Sequence, residues 1–135
     1  TDEIYQFKII DAGEAAAVID WGTAFEEIIN DVDRQASPAL IAARFHNMLA
    51  EAAICVARHA EIESVALSGG CFQNRYLLER IVRRLAEEGF RPYWHRRVPT
   101  NDGGISLGQI LAAQMKLTAT PPARKKTIKE VTLCV

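Results

Sequence analysis

Two short loops in this sequence carry residue types suited to phosphate chemistry. At Ser68-Gly69-Gly70-Cys71 an apolar run ends in two glycines and a helical pattern follows at once. Glycines in such a turn let the backbone approach an oxyanion, and the free N–H groups of a helix start point at it. The second loop, Asn101-Asp102-Gly103-Gly104, repeats the arrangement with a carboxylate in front. A carboxylate facing phosphate is repelled unless a cation lies between them, so Asp102 is a candidate metal ligand. Each feature also has a plainer reading. Gly-Gly between strand and helix is often only a tight turn, and Asp102 serves equally well as an N-cap of the next helix.

Cys71 raises a different chemistry, because a thiol at a helix start can be activated as a nucleophile. A nucleophile elbow wants small residues on both sides, whereas Phe72 and Gln73 follow here. The spacing favours Cys71 as a small buried hydrophobe behind the glycines. His46, beside Phe45 in ARFHNMLAEA, reads as a hydrogen-bonded packing residue. The run His95-Arg96-Arg97 is basic enough to meet an anion, though a strand end with solvated charges is the slightly better reading. The three cysteines and three histidines form no CxxC, HxxxH or HExxH pattern. The chain therefore does not obviously build a complete metal site alone.

The elements that must hold these loops can be read from periodicity. YQFKII (5–10), a DAGE turn (11–14) and AAAVIDW (15–21) predict a hairpin ending near Trp21. Thr23 and Glu26 form a capping box for a short helix reaching about Asp33. Ser37 and Pro38 open a long helix. Leu40, Ile41, Phe45, Met48, Leu49, Ala52, Ala53 and Val56 recur along it at helical spacing, and it ends near Ala60. Val65–Leu67 is a short buried strand. A helix from Phe72 carries Tyr76, Leu77, Ile81, Val82 and Leu85 and stops at Gly89. RPYWH (91–95) returns as a strand, and ISLGQILAAQMKL is a last helix. Strand, helix, strand, helix with short connections favours parallel pairing, which sets both glycine loops along one crevice.

Composition narrows the class. The 135 residues are 49% hydrophobic and 24% charged, which suits one compact domain or a piece of a larger one. A net charge of −1 gives no reason to expect nucleic acid or a membrane surface as partner. The N-terminus lacks a basic-then-apolar signal pattern and no apolar run approaches a spanning length, so a cytoplasmic location is the expectation. After Leu117 the composition shifts to TATPPARKKTIKEVTLCV, read as an exposed tail over 118–135.

Three blocks, ARFHNMLAEA, VALSGGCFQNRYLLERIVRRL and HRRVPTNDGGISLGQ, lie in one order across 42–109. Together they resemble the C-terminal end of the HypF family, the carbamoyltransferases of [NiFe]-hydrogenase maturation, and the resemblance covers nearly all of 1–117. It implies an α/β fold: the second half of an actin-like nucleotide-binding domain of the sugar-kinase and chaperone-ATPase type, a mixed sheet with helices packed on it. It implies an enzyme that makes carbamoyl-adenylate from carbamoyl phosphate and ATP, then passes the carbamoyl group to the C-terminal cysteine of a HypE-like acceptor. On matching positions, Gly69 and Gly70 would approach the adenylate, Asn74 would contact the nucleoside, and Asp102 would ligate a divalent metal, iron or zinc, with magnesium accompanying ATP. The family's paired metal-binding histidines and its further domains have no counterpart in these residues. The position after Gly-Gly is commonly valine in the family, which supports packing rather than nucleophilic duty for Cys71. Two other readings stay open, a nucleotide-binding or partner-docking module inactive on its own and an O-carbamoyltransferase acting on a small molecule.

Overall fold

The computed structural model describes residues 1–10 and 17–118, in two units, Thr1–Gly103 and Gly104–Val135. The turn expected at 11–14 and the tail beyond Thr118 lie outside the described residues.

In the first unit, β1 (Lys8–Ile10) and β2 (Val18–Asp20) pair antiparallel with Ile9 opposite Ile19, the expected hairpin strands. α1 spans Gly22–Asp33 and α2 spans Pro38–Ala60. The Thr23 capping box does not form. The helix starts two residues earlier, after Trp21, and Gly22 N–H is met by Asp20 Oδ1 at 2.9 Å. The cap of α2 is as expected, with Ser37 Oγ accepting from Leu40 N–H at 3.3 Å and Pro38 in the first turn.

β3 (Ser64–Leu67) and β4 (Arg91–Trp94) pair in parallel, Leu67 opposite Trp94, joined by α3 (Arg75–Glu87). The expected mixed sheet is instead two separate pairs, because no strand among the described residues bridges the hairpin to β3–β4. α3 also starts later than expected. Gly70–Gln73 forms a 3-10 turn and Asn74 is the N-cap.

The core lies between α2, α3 and β3. Ala50, Ile54 and Ala57 on α2 meet Leu77, Ile81 and Leu85 on α3, with Leu67 of β3 closing the cluster. Alanines on α2 let the α3 leucines approach closely, and Val56, expected on the packed stripe, is exposed. A second cluster sets Tyr5, Ala24 and Met48 together, with Leu49 packed against both clusters. By length and mean hydropathy (1.3) α2 passes as membrane-spanning, contrary to the sequence expectation. Its charged residues are nevertheless paired within the first unit: Arg44 with Glu3 and Asp31, Glu51 with Arg84, and Arg58 with Glu88.

In the second unit the described element is α4 (Ile105–Thr118), where the last helix was expected.

Candidate functional site

The C-terminal ends of β3 and β4 carry the two loops, and backbone chemistry ties them together. Gly69 has φ +111° and ψ 161°, a conformation essentially reserved for glycine. In that conformation its N–H donates to Thr100 O at 2.9 Å, so the first glycine of one loop is stitched to the start of the other. Ser68 Oγ and His95 Nε2, 3.1 Å apart, make a second tie between the same strand ends. Parallel pairing thus brings the two loops together at one edge of the strand pair, as the element order required.

Gly70 is different. Its φ is not positive, and a Cβ built on it would meet nothing within 4 Å. Neither its conformation nor packing among the described residues demands glycine there. Thr100, whose carbonyl takes the Gly69 N–H, has its Oγ1 buried with no hydrogen-bond partner among the described residues. On the second loop Asn101 Oδ1 accepts from Gly103 N–H at 3.1 Å, so Asn101 satisfies the turn and the Asp102 side chain is exposed. Among the described residues, no cluster of three or more His, Cys, Asp or Glu side chains is placed to hold a metal.

Cys71 is not the buried hydrophobe expected from its neighbours. It is exposed, because the 3-10 turn seats Phe72 against the core and rotates the preceding thiol outward. His95 bonds to Ser68 rather than to the thiol. The neighbouring Arg96 guanidinium lies 4.4 Å from the centroid of Trp94, a cation–π contact that holds it at the strand end.

Asn74 does two jobs inside the protein. Its Oδ1 caps α3 by accepting from Leu77 N–H at 3.2 Å, and its Nδ2 faces His46 Nε2 at 2.7 Å. The His46 ring also meets Ala42 O through Nδ1 at 2.7 Å and stands edge-on to Phe45 and Tyr76, each with centroids 6.0 Å away. Tyr76 in turn donates its hydroxyl to Oδ1 of Asn47 at 2.6 Å; Asn47 is fully buried, with its Nδ2 on the carbonyls of Thr1 and Glu3. Adjacent residues of α2 thus hold two residues at the start of α3. A surface pocket of about 260 Å³ opens at this contact, lined by Ala39, Ala42, Ala43, His46, Asn74 and Tyr76.

A larger pocket of about 350 Å³ shares no lining residue with these loops. It surrounds an ionic clamp in which Arg44 bridges Glu3 and Asp31 at 2.5 and 2.6 Å, and Tyr5 donates to Asp31 at 2.8 Å. The Arg44 and Tyr5 hydrogen bonds hold the Asp31 carboxyl below its usual range. Burial and the Asp31 contact push the Tyr5 hydroxyl up to about 12. These groups satisfy one another, and the clamp fastens the N-terminal segment to α1 and α2. Sequence reading missed it because its members are scattered in the chain. It missed Ser68–His95 and Asn74–His46 for the same reason.

Comparison with known proteins converges on one family. Residues 1–109 match the family model described as carbamoyltransferase, Kae1-like domain, second subdomain. The carbamoyltransferase HypF of Synechocystis is 43% identical over 112 residues, covering 83% of this chain and 14% of that protein. Carbamoyltransferase HypF of Rhodobacter capsulatus is 42% identical over 84 residues, covering 59% of this chain and 11% of its own length. A crystal structure of full-length HypF in its phosphate- and nucleotide-bound form superposes with a TM-score of 0.75 at 37% identity, over 89% of this chain and 16% of that one. The chain therefore spans about one seventh of the relatives it matches.

Proposed function

The chain belongs to the Kae1-like carbamoyltransferase domain family, as its second subdomain, and on that premise we propose that it supplies half of a nucleotide site for ATP-dependent carbamoyl transfer. The observation that carries the reading is the joined pair of loops at the ends of β3 and β4. Gly69 is fixed against Thr100 by its own N–H, while Gly70 is exposed and has open space beside it that no described residue fills. Such space suits a phosphate group approaching the backbone. The full-length relative bound to phosphate and nucleotide supports the same reading.

In this proposal water hydrolyses carbamoyl phosphate to carbamate and phosphate, and the carbamate oxygen then attacks the α-phosphorus of ATP, giving carbamoyl-adenylate and releasing pyrophosphate. A thiol on a HypE-like acceptor then displaces AMP. The fold half fits an actin-like domain whose first subdomain covers the crevice. Gly70 would lie against the phosphates, and Asn74 would meet the nucleoside at the rim of the alanine-lined pocket. Toward a divalent metal this chain offers one candidate ligand, the exposed Asp102 carboxylate, with the orphaned Thr100 oxygen in the same loop. A bound metal would supply positive charge opposing that on the phosphates. Asp102 would hold it from this side, with the remaining ligands coming from the first subdomain. Catalysis by this half is then positional and electrostatic, and no nucleophile of this chain takes part. In isolation the chain is expected to be inactive.

The test is exchange of labelled pyrophosphate into ATP, dependent on carbamoyl phosphate, by the enzyme containing both subdomains. Exchange is expected, and Asp102→Asn should reduce it at least a hundredfold. Exchange that persists in Asp102→Asn removes Asp102 from the metal site, and no exchange in the unaltered enzyme overturns the adenylate chemistry.

A further inference from the structure

Resting on the reading of Asn74 as a nucleoside contact, we infer that His46 is a positioning residue that fixes which way the Asn74 amide faces. The hydrogen-bond chain leaves one arrangement. Leu77 N–H can only donate, so the Asn74 oxygen turns toward α3 and its nitrogen toward His46. The Ala42 carbonyl can only accept, so His46 Nδ1 carries the ring proton. Asn74 Nδ2 can only donate, so His46 Nε2 is the acceptor across 2.7 Å. Flipping the amide sets donor against donor at Leu77 and acceptor against acceptor at His46, losing both bonds.

The ring is itself held. Phe45 and Tyr76 stand edge-on to it, and the Tyr76 hydroxyl is anchored on buried Asn47. With both internal bonds made, Asn74 retains one amide hydrogen and one oxygen lone pair at the pocket. A donor and an acceptor side by side in a fixed order can discriminate a nucleoside from bare phosphate. Without His46 the amide is oriented by the cap alone, and its Nδ2 loses its intramolecular acceptor.

The experiment measures ATP and inorganic pyrophosphate affinity by calorimetry in the enzyme containing both subdomains. His46→Leu is expected to weaken ATP about three- to tenfold, the range for one lost hydrogen bond, and to leave pyrophosphate unchanged. His46→Gln, whose side-chain oxygen reaches toward the Nε2 position, should restore ATP affinity to within about twofold. Asn74→Ala combined with His46→Leu should bind no more weakly than Asn74→Ala alone.

Weakened ATP binding in Asn74→Ala with unaltered binding in His46→Leu overturns the positioning role and leaves the nucleoside reading standing. Unaltered binding in both variants overturns the nucleoside reading and this inference with it. A Gln variant as weak as Leu assigns the effect to packing and overturns the inference. Should His46→Leu fail to fold, nitrogen-detected NMR of the unaltered chain decides: a ring protonated at Nδ1 and bare at Nε2 supports the inference, and the opposite tautomer overturns it.

Discussion

Replacing either glycine of the first loop by alanine adds the same methyl group, yet the two positions should respond in opposite ways. At Gly69 the built Cβ meets nothing within 4 Å, so the cost is conformational and comes from φ +111°. Holding an L-residue there costs about 1–3 kcal/mol. For a unit of this size that lowers Tm by about 4–20 °C. At Gly70 the Cβ is equally unobstructed, but φ is ordinary. Alanine there restricts the unfolded chain more than the folded one, adding about 0.4–1 kcal/mol of stability. The ligand should reverse the ranking at Gly70. If a phosphate oxygen rests against that backbone, the methyl group displaces it and removes a charge-assisted contact of about 1.5–3 kcal/mol, a loss of about 10- to 150-fold in affinity. Thermal denaturation of the chain measures the first effect, and nucleotide titration of the enzyme containing both subdomains measures the second. A Gly70→Ala protein that is at least as stable as the parent and has lost nucleotide affinity is the expected result. Unaltered affinity in Gly70→Ala would refute the idea that the open space is a ligand's, and destabilisation by more than about 1 kcal/mol would refute the conformational argument.

Other expectations follow from the same geometry. Cys71→Ser should leave carbamoyl-phosphate-dependent exchange within about twofold of the parent, since the thiol is exposed and His95 is engaged by Ser68; a loss of a hundredfold would restore the nucleophile. Glu51 is held below its usual carboxylate range by hydrogen bonds from Arg84, at 2.7 and 3.0 Å between α2 and α3. Because its folded value is depressed, the stabilisation is fully present above the ordinary carboxylate pKa and fades as pH falls through the folded one. Glu51→Gln should therefore cost about 1 kcal/mol in urea denaturation at pH 7, with a gap that narrows below about pH 4. A gap independent of pH would show that the ion pair is not its source. The Tyr5 hydroxyl should titrate near pH 12 in ultraviolet difference spectra, and Tyr5→Phe should remove that step. Since the folded value is raised, the Tyr5–Asp31 contact stabilises fully below about pH 10 and is lost as pH rises through the folded value.

Features written in consecutive residues were legible before any coordinates. The Ser37-Pro38 start of α2, the Gly89 stop of α3 and the parallel strand pair all appear where local spacing placed them. Errors gathered where one turn can be built in two ways. Phe72 has the spacing of a first helical residue, but Asn74 is the better cap, so Gly70–Gln73 tightens into a 3-10 turn and Cys71 swings outward. Likewise Asp20 satisfies Gly22 and starts α1 before Thr23 can cap it.

The site divides along the same line. Gly69, Gly70 and Asp102 stand out as candidates because each belongs to a loop whose residue types announce themselves, and parallel pairing then brings the loops together. What a sequence hides is the commitment of polar atoms across elements. Asn74 carries the same side chain whether its amide is free or doubly bonded, and only α2, twenty-eight residues away, decides between these. A match to the family's motif can name Asn74 without saying what holds it. The contact to His46 supplies that physical content, because it converts a rotatable amide into a donor and an acceptor of fixed order. It also makes α2 part of the proposed site, although α2 carries no glycine.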